Sequence, residues 1–162
     1  MIKCQFENGS NTNLRHVVVG AIALNKNRDK VLLVKRAPSM LSRPNKYTVP
    51  GGFLDRDEDT KKAALRELLE ETGYKGKILS LFHIKEYPDR INEDRQNIDF
   101  LYLIEVGEKI GEYDNEVSEV KWFDLNNVPK KEDWAFDHLG DIQLYKKHLK
   151  IPFKLPIVGK VK

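Results

Sequence analysis

Gly52 to Tyr74 reads GFLDRDEDTKKAALRELLEETGY, and most of it is one helix with two different faces. From Thr60 to Thr72, the residues Ala64, Leu65, Leu68 and Thr72 recur at helical spacing and are expected to face a core. Asp57, Glu58 and Asp59 stand just before them, where acidic groups complement the helix dipole. Asp59 or Thr60 can cap the first turn, and Gly73 is a natural C-terminal stop. On the other face Glu67, Glu70 and Glu71 fall at i, i+3 and i+4, so their carboxylates lie on one patch beside the small Ala63. Like charges at that spacing weaken a helix. The patch is therefore either a solvated acidic surface or a set of oxygen ligands for a hard divalent cation.

Working outward, Tyr47 to Val49 is a short strand that ends at Pro50-Gly51-Gly52. His16 to Leu24 is rich in Val, Ile and Ala and reads as a buried strand, with the turn cluster Asn25 to Asp29 after it. Lys30 to Lys35 is a second strand, so residues 16–36 are expected to form a hairpin, followed by a loop from Ala37 to Lys46. Residues 1–14 read as a short lead strand or a loose arm. Downstream, strand patterns occupy Lys77 to Glu86, Ile98 to Val106 and Glu119 to Phe123, and Tyr87 to Gln96 separates the first two. Asp137 to Leu149 is a second helix, with Leu139, Ile142, Leu144 and Tyr145 on its buried side, before an extended, proline-containing tail. A mixed sheet with a few helices on its faces, an α+β fold, accommodates this order.

Composition narrows the function classes. The 162 residues suit one domain, 1–162, with a real core. Net charge is only +3, from 28 Lys+Arg against 25 Asp+Glu, which gives no argument for nucleic acid as a partner. Cys4 is the only cysteine, so an internal disulfide and a cysteine-based zinc site are excluded. The opening MIKCQFENGSNTN lacks the apolar run of a signal peptide, and Val17 to Leu24 is too short to span a bilayer, so no membrane role and a cytoplasmic setting are expected. The sequence leaves room for a homodimer.

The stretch resembles the Nudix signature: Gly, five residues, Glu, seven residues, Arg-Glu, an aliphatic residue, any residue, Glu-Glu, any residue, Gly, then a bulky aliphatic residue. Gly52, Glu58, Arg66, Glu67, Glu70, Glu71 and Gly73 fill the fixed positions. Such a match arises in a random window with probability on the order of 10⁻⁸. Tyr74 departs from the aliphatic position, and Asp57 replaces a Gly that often precedes the first Glu. VLLVKRA before the box and EVKWFDLNNVP after it resemble the flanking elements, so the likeness covers roughly residues 15–130, with the box at 52–74 and a C-terminal helix and tail at 135–162.

The resemblance implies an α/β/α sandwich in which the box is a loop–helix–loop. It also implies a Mg²⁺-dependent (or Mn²⁺-dependent) hydrolase that cuts the pyrophosphate of a small nucleotide derivative. Glu67, Glu70 and Glu71 would ligate metal together with the Gly51 carbonyl. Arg66 would orient a carboxylate, and Glu58 would support Arg66 or a water. A surface ion pair and a helix-terminal acid are the plainer readings of those two residues. The base is either a box glutamate or one from the loop Gly111 to Glu119, where Glu116 is preferred over Glu112 and Glu119.

Two short features lean toward ADP-ribose as substrate. Pro88 lies near where a proline occurs in the ADP-ribose pyrophosphatase branch, and Ala135-Phe136-Asp137-His138 resembles an AFDH segment of that branch. His138 also reads as a residue that packs or caps near a helix start. Arg36, just after a strand, is the best-placed of Arg36, Arg43, Arg90 and Arg95 to meet phosphate or ribose oxygens, and Phe53, Tyr87, Trp134 or Phe136 could stack on an adenine. A nucleoside triphosphate (oxidised or not), a dinucleoside polyphosphate and a non-catalytic nucleotide sensor are the competing expectations.

Overall fold

The structure, a computed structural model, describes residues 2–88 and 96–160. Helix α1 (Thr60–Thr72) begins where expected: the Asp59 side chain accepts hydrogen bonds from the Lys61 and Lys62 amides, tying up two otherwise unpaired donors. It ends at Gly73, whose φ of 75° closes the last turn as its N–H donates a hydrogen bond to the Leu69 carbonyl. A side chain at Gly73 would also collide with the Gly111 carbonyl, so this corner needs glycine twice over.

The strands in chain order are β1 (Ile2–Gln5), β2 (Asn11–Leu14), β3 (Val17–Leu24), β4 (Lys30–Arg36), β5 (Tyr47–Thr48), β6 (Gly51–Phe53), β7 (Tyr74–Lys85), β8 (Ile98–Lys109), β9 (Val117–Asp124) and β10 (Ile157–Val158). The main sheet runs β10-β7-β8-β3-β4-β5, with β6 also on β3 and β9 also on β4. β3–β8 and β10–β7 are parallel, and the other pairs are antiparallel, so the sheet is mixed as anticipated. Residues 2–14, read as a lead strand or arm, form a separate antiparallel pair, β1–β2.

The hairpin at 16–36 is only partly one. β3 and β4 pair at the turn end alone, Ala23 with Leu32 and Leu24 with Val31. Beyond that they diverge, β3 to β6 and β8 and β4 to β9 and β5. This split opens the sheet beside Gly51 and Gly52, which lie within strand β6 rather than in a free turn.

Alternation along β3 builds two cores. Val19, Ala21 and Ala23 pack with Ala63, Ala64 and Leu68 of α1. Ile22 and Leu24 pack on the opposite face with Ile142 and Tyr145 of α2 (His138–Lys150). The sheet is thus covered by a helix on each side, giving the α/β/α arrangement. Of the residues expected to bury on α2, Ile142 and Tyr145 do so fully and Leu139 and Leu144 partly. Asp141 is also buried, which its charge had not suggested. Among the described residues, no helix is long and apolar enough to cross a membrane.

Candidate active site

A cleft of about 610 Å³ opens where β3 and β4 part, between the exposed face of α1, the loop after β4 and the start of α2. Glu67, Glu70 and Glu71 all line it, as do Gly51, Arg66, Glu116, Arg36 and His138. One helix face, one strand junction and two loops therefore bring together many of the residues singled out from the sequence, while Glu58 is not among the lining residues. Pro88 is exposed and is not among the lining residues, while Arg90 and Arg95 lie outside the described residues.

The three glutamates meet different surroundings. The Glu70 side chain is 48% exposed, that of Glu67 only 13%, and Glu71 is buried. Arg66 stands between the first two, donating to Glu67 Oε1 at 2.8 Å and to Glu70 Oε2 at 2.9 Å. Its other edge grips Glu58 in a fork, Nε to Oε2 at 3.1 Å and Nη2 to Oε1 at 2.6 Å, and also reaches the Phe53 carbonyl. A planar five-donor group suits this work, because a single ammonium cannot serve five oxygens in fixed directions. The Arg66 hydrogen bonds hold the Glu58 carboxyl below its ordinary pKa, and Glu58 in turn raises that of the guanidinium. Burial pushes Glu67 up against the pull of Arg66.

Glu71 is the exceptional member. Its Oε2 accepts from the Gly51 amide at 2.8 Å. Burial, with the negative charge of Glu67 and Asp114 added, outweighs that bond and raises its pKa to about 8. The backbone approaches closely here because it carries no side chains. A Cβ on Gly52 would lie 2.6 Å from Glu67 Oε1, and one on Gly51 would strike the Val19 carbonyl.

The loop after β8 supplies the far acidic wall. It is stitched to the end of α1, with the amides of Ile110 and Gly111 bonding to the Gly73 carbonyl and the Asp114 amide to the Glu70 carbonyl. Glu116 lines the cleft, its amide held by Asp114 Oδ1 at 2.9 Å. Glu112 pairs instead with Lys109, and Glu119 accepts from the Tyr47 hydroxyl. Asp114 also lines the cleft and was not singled out from sequence, although it lies inside the acidic loop already under suspicion.

On the remaining wall, Arg36 donates to the Ser42 carbonyl at 2.9 Å and lies 5.4 Å from the centre of the Phe136 ring. His138 Nδ1 lies 2.6 Å from Thr48 Oγ1, and burial, then the nearby Lys85 charge, lowers its pKa. Phe53 also lines the cleft, whereas Trp134 belongs to the core.

Behind this wall is a second acidic cluster. Asp137, His138 and Asp141 bring one ligand atom each within 4.8 Å of one another. A cation is already there: Lys85, only 1% exposed, reaches Asp141 at 2.7 Å and Asp99 and Asp137 at 3.1 Å each. His83 adds a contact to Asp141 at 3.2 Å. Burial works to raise the Asp141 carboxyl, but Lys85 and His83 outweigh it and hold it low.

Comparison with known proteins agrees with this geometry. Residues 14–140 match the family described as NUDIX domain. The chain is 35% identical over 135 residues to an ADP-ribose pyrophosphatase of Methanocaldococcus jannaschii, covering 80% of this chain and 73% of that protein. It is 33% identical over 105 residues to diphosphoinositol polyphosphate phosphohydrolase 3-beta of Homo sapiens, covering 63% of this chain and 59% of that longer protein. Among solved structures it is similar to a NUDIX hydrolase from Nitrosomonas europaea, with TM-score 0.76, 22% identity and coverage of 99% and 93%. It is also similar to an ADP-ribose pyrophosphatase from Streptococcus suis 89-1591, with TM-score 0.69, 17% identity and coverage of 90% and 99%. At those identities the two structures speak for the fold alone.

Proposed function

Because the chain belongs to the NUDIX domain family, and is therefore a hydrolase of pyrophosphate bonds, we propose that it is a Mg²⁺-dependent enzyme cleaving ADP-ribose to AMP and ribose 5-phosphate. The observation that carries this reading is the make-up of the cleft. Carboxylates gather at one part of it, and Arg36 and the Phe136 ring stand beside them. The 35% identity to an archaeal ADP-ribose pyrophosphatase supports the choice of substrate.

The donor set fits a hard divalent cation. Glu67, Glu70 and Glu71 offer carboxylate oxygens, and burial leaves Glu71 with a pKa of about 8 that a bound cation would lower. Those three and the Gly51 carbonyl are the residues that would hold Mg²⁺, with Mn²⁺ a workable substitute. When bound, such an ion neutralises the charge of the two phosphates and acts as a Lewis acid at their oxygens.

The chain's own residues do the rest. Arg66 fixes the direction of Glu67 and Glu70, and Glu58 fixes Arg66. Arg36 is positioned to meet a phosphate oxygen. The Glu116 carboxylate takes a proton from the attacking water, while its backbone is anchored by the Ala37 and Asp114 bonds. The reaction breaks one P–O bond of the anhydride, and the charged leaving phosphate needs little covalent help.

Several other relatives act, by name, on diphosphoinositol polyphosphates. Such a substrate carries many phosphates and no planar ring. Among the described residues the cations lining the cleft are Arg36 and Arg66. That charge balance favours a diphosphate over a polyphosphate. The deciding experiment incubates the protein and Mg²⁺ with ADP-ribose, 8-oxo-dGTP, a diadenosine polyphosphate and a diphosphoinositol polyphosphate, and identifies the products. AMP with ribose 5-phosphate as the fastest-formed products is the expected result. Much faster turnover of a triphosphate or an inositol would overturn the substrate assignment. Absence of any hydrolysis would favour a nucleotide sensor.

A further inference from the structure

Phe136 is held in a conformation that its size opposes. Its φ is 56°, in the left-handed region that bulky side chains rarely enter. The other non-glycine residues at positive φ, Arg28, Arg43, Asn45 and Gln96, are all exposed. Phe136 is half-buried and lines the cleft. The strain is imposed from both sides. On one side Ala135 is buried, its amide bonded to the Tyr47 carbonyl at 2.8 Å. On the other, Asp137 is bound by Lys85 at 3.1 Å. A residue pinned in this way at a cleft wall, with its ring beside Arg36 and His138, points to a role in the cleft.

We propose that Phe136 is the platform on which the aromatic base of the substrate stacks, and that Arg36 sets its distance from the scissile diphosphate. The guanidinium of Arg36 lies 5.4 Å from the Phe136 ring centre, and its charge also acts on the buried Glu71 carboxyl. Arg36 is thus near both the ring and the carboxylate-bearing part of the cleft. Its Nε also holds the Ser42 carbonyl, which ties the loop bearing Leu41 to the same group. Leu41 lines the cleft and is fully exposed. Phe136 and Leu41 are the residues that select a base-bearing ligand, and stacking of this kind tolerates any purine or pyrimidine.

The inference rests on the cleft being a nucleotide diphosphate site, and binding measurements separate the two claims. AMP and ribose 5-phosphate are titrated calorimetrically into wild-type protein and into Phe136→Asn, Phe136→Trp and Leu41→Ala. Asn tolerates positive φ, so Phe136→Asn removes the ring without adding backbone strain and should melt within a few degrees of wild type. The preference for AMP over ribose 5-phosphate should fall about tenfold in Phe136→Asn, survive in Phe136→Trp and fall about two- to threefold in Leu41→Ala. An unchanged preference in folded Phe136→Asn, or no preference in the wild type, overturns the platform even if ADP-ribose is hydrolysed. Phe136-dependent AMP binding without hydrolysis keeps the platform and removes the proposed reaction.

Discussion

Two groups of carboxylates lie near one cleft, and the chain treats them in opposite ways. Around Lys85, Asp99 of β8, Asp137 just before α2 and Asp141 within it are met by an ammonium within 3.1 Å of each, and His83 stands against Asp141. On α1, Arg66 satisfies Glu67 and Glu70 from one edge, while Glu71 has a backbone amide as its donor. In the first group one ammonium touches every carboxylate. The second is left electrostatically incomplete at one buried oxygen pair, which is the condition expected of a site that completes itself with something from outside. A cluster of acids in a fold is therefore informative only after its internal cations have been counted.

The contrast can be broken at four points. The largest effect is expected at Glu70→Gln and Glu71→Gln, where kcat should fall by about 10²–10³ because groups facing the reacting phosphates are lost. At pH 7.5 Glu71→Gln should unfold no more easily than wild type, since a carboxyl with a pKa of about 8 is already largely protonated there. Unchanged turnover in both variants would sink the metal assignment. Next comes Lys85→Met, which leaves three carboxylates without their cation. A stability loss of about 3–5 kcal/mol is expected in denaturant unfolding, with turnover per folded molecule retained. A mild loss would mean that the aspartates find solvent or other partners.

Arg66→Lys keeps the charge but removes the fork, and should lower kcat about 10–100-fold with little change in melting temperature. The smallest effect is the pH response of the chelator-treated protein. Glu71 is raised from 4.5 to about 8 in the fold, so between those values the folded chain keeps a proton that the unfolded chain has lost. Stability should therefore decline as pH rises through that window, by at most about 1.4 kcal/mol per pH unit, and Glu71→Gln should flatten the decline. Asp141, held below 3.8, acts with the opposite sign: its contribution is present above that value and is lost as pH falls further. A melting temperature that rises from pH 5 to pH 8 would contradict the burial of Glu71.

What the sequence disclosed follows the range of the forces involved. Helix α1, its Asp59 cap and its Gly73 stop are local, and they were legible because each depends on neighbours within a turn. The glutamate spacing was legible for the same reason. That Glu71 alone is buried was not, because its burial comes from β6 and the Asp114 loop arriving from elsewhere. Lys85 next to Glu86 reads as the solvated end of a strand, and its three aspartate partners lie far along the chain. The divergence of β3 and β4 was equally hidden: two adjacent apolar runs imply a hairpin, and only the competing partners β6, β8 and β9 pull it apart. Phe136 could be suspected as an aromatic near a helix start, but its φ is set by anchors on either side that no pattern announces.

The parallel pairing of β3 with β8 has a kinetic consequence. Val17 faces Ile98 and Leu24 faces Glu105, so the sheet closes only after a loop containing the whole of α1 has been drawn in. The glutamate helix can coil early, but its carboxylates remain hydrated until that closure. The dry environment that sets Glu71 apart is thus a product of the slow, late stage of folding. A nascent or partly unfolded chain would carry the helix without its acid–base character.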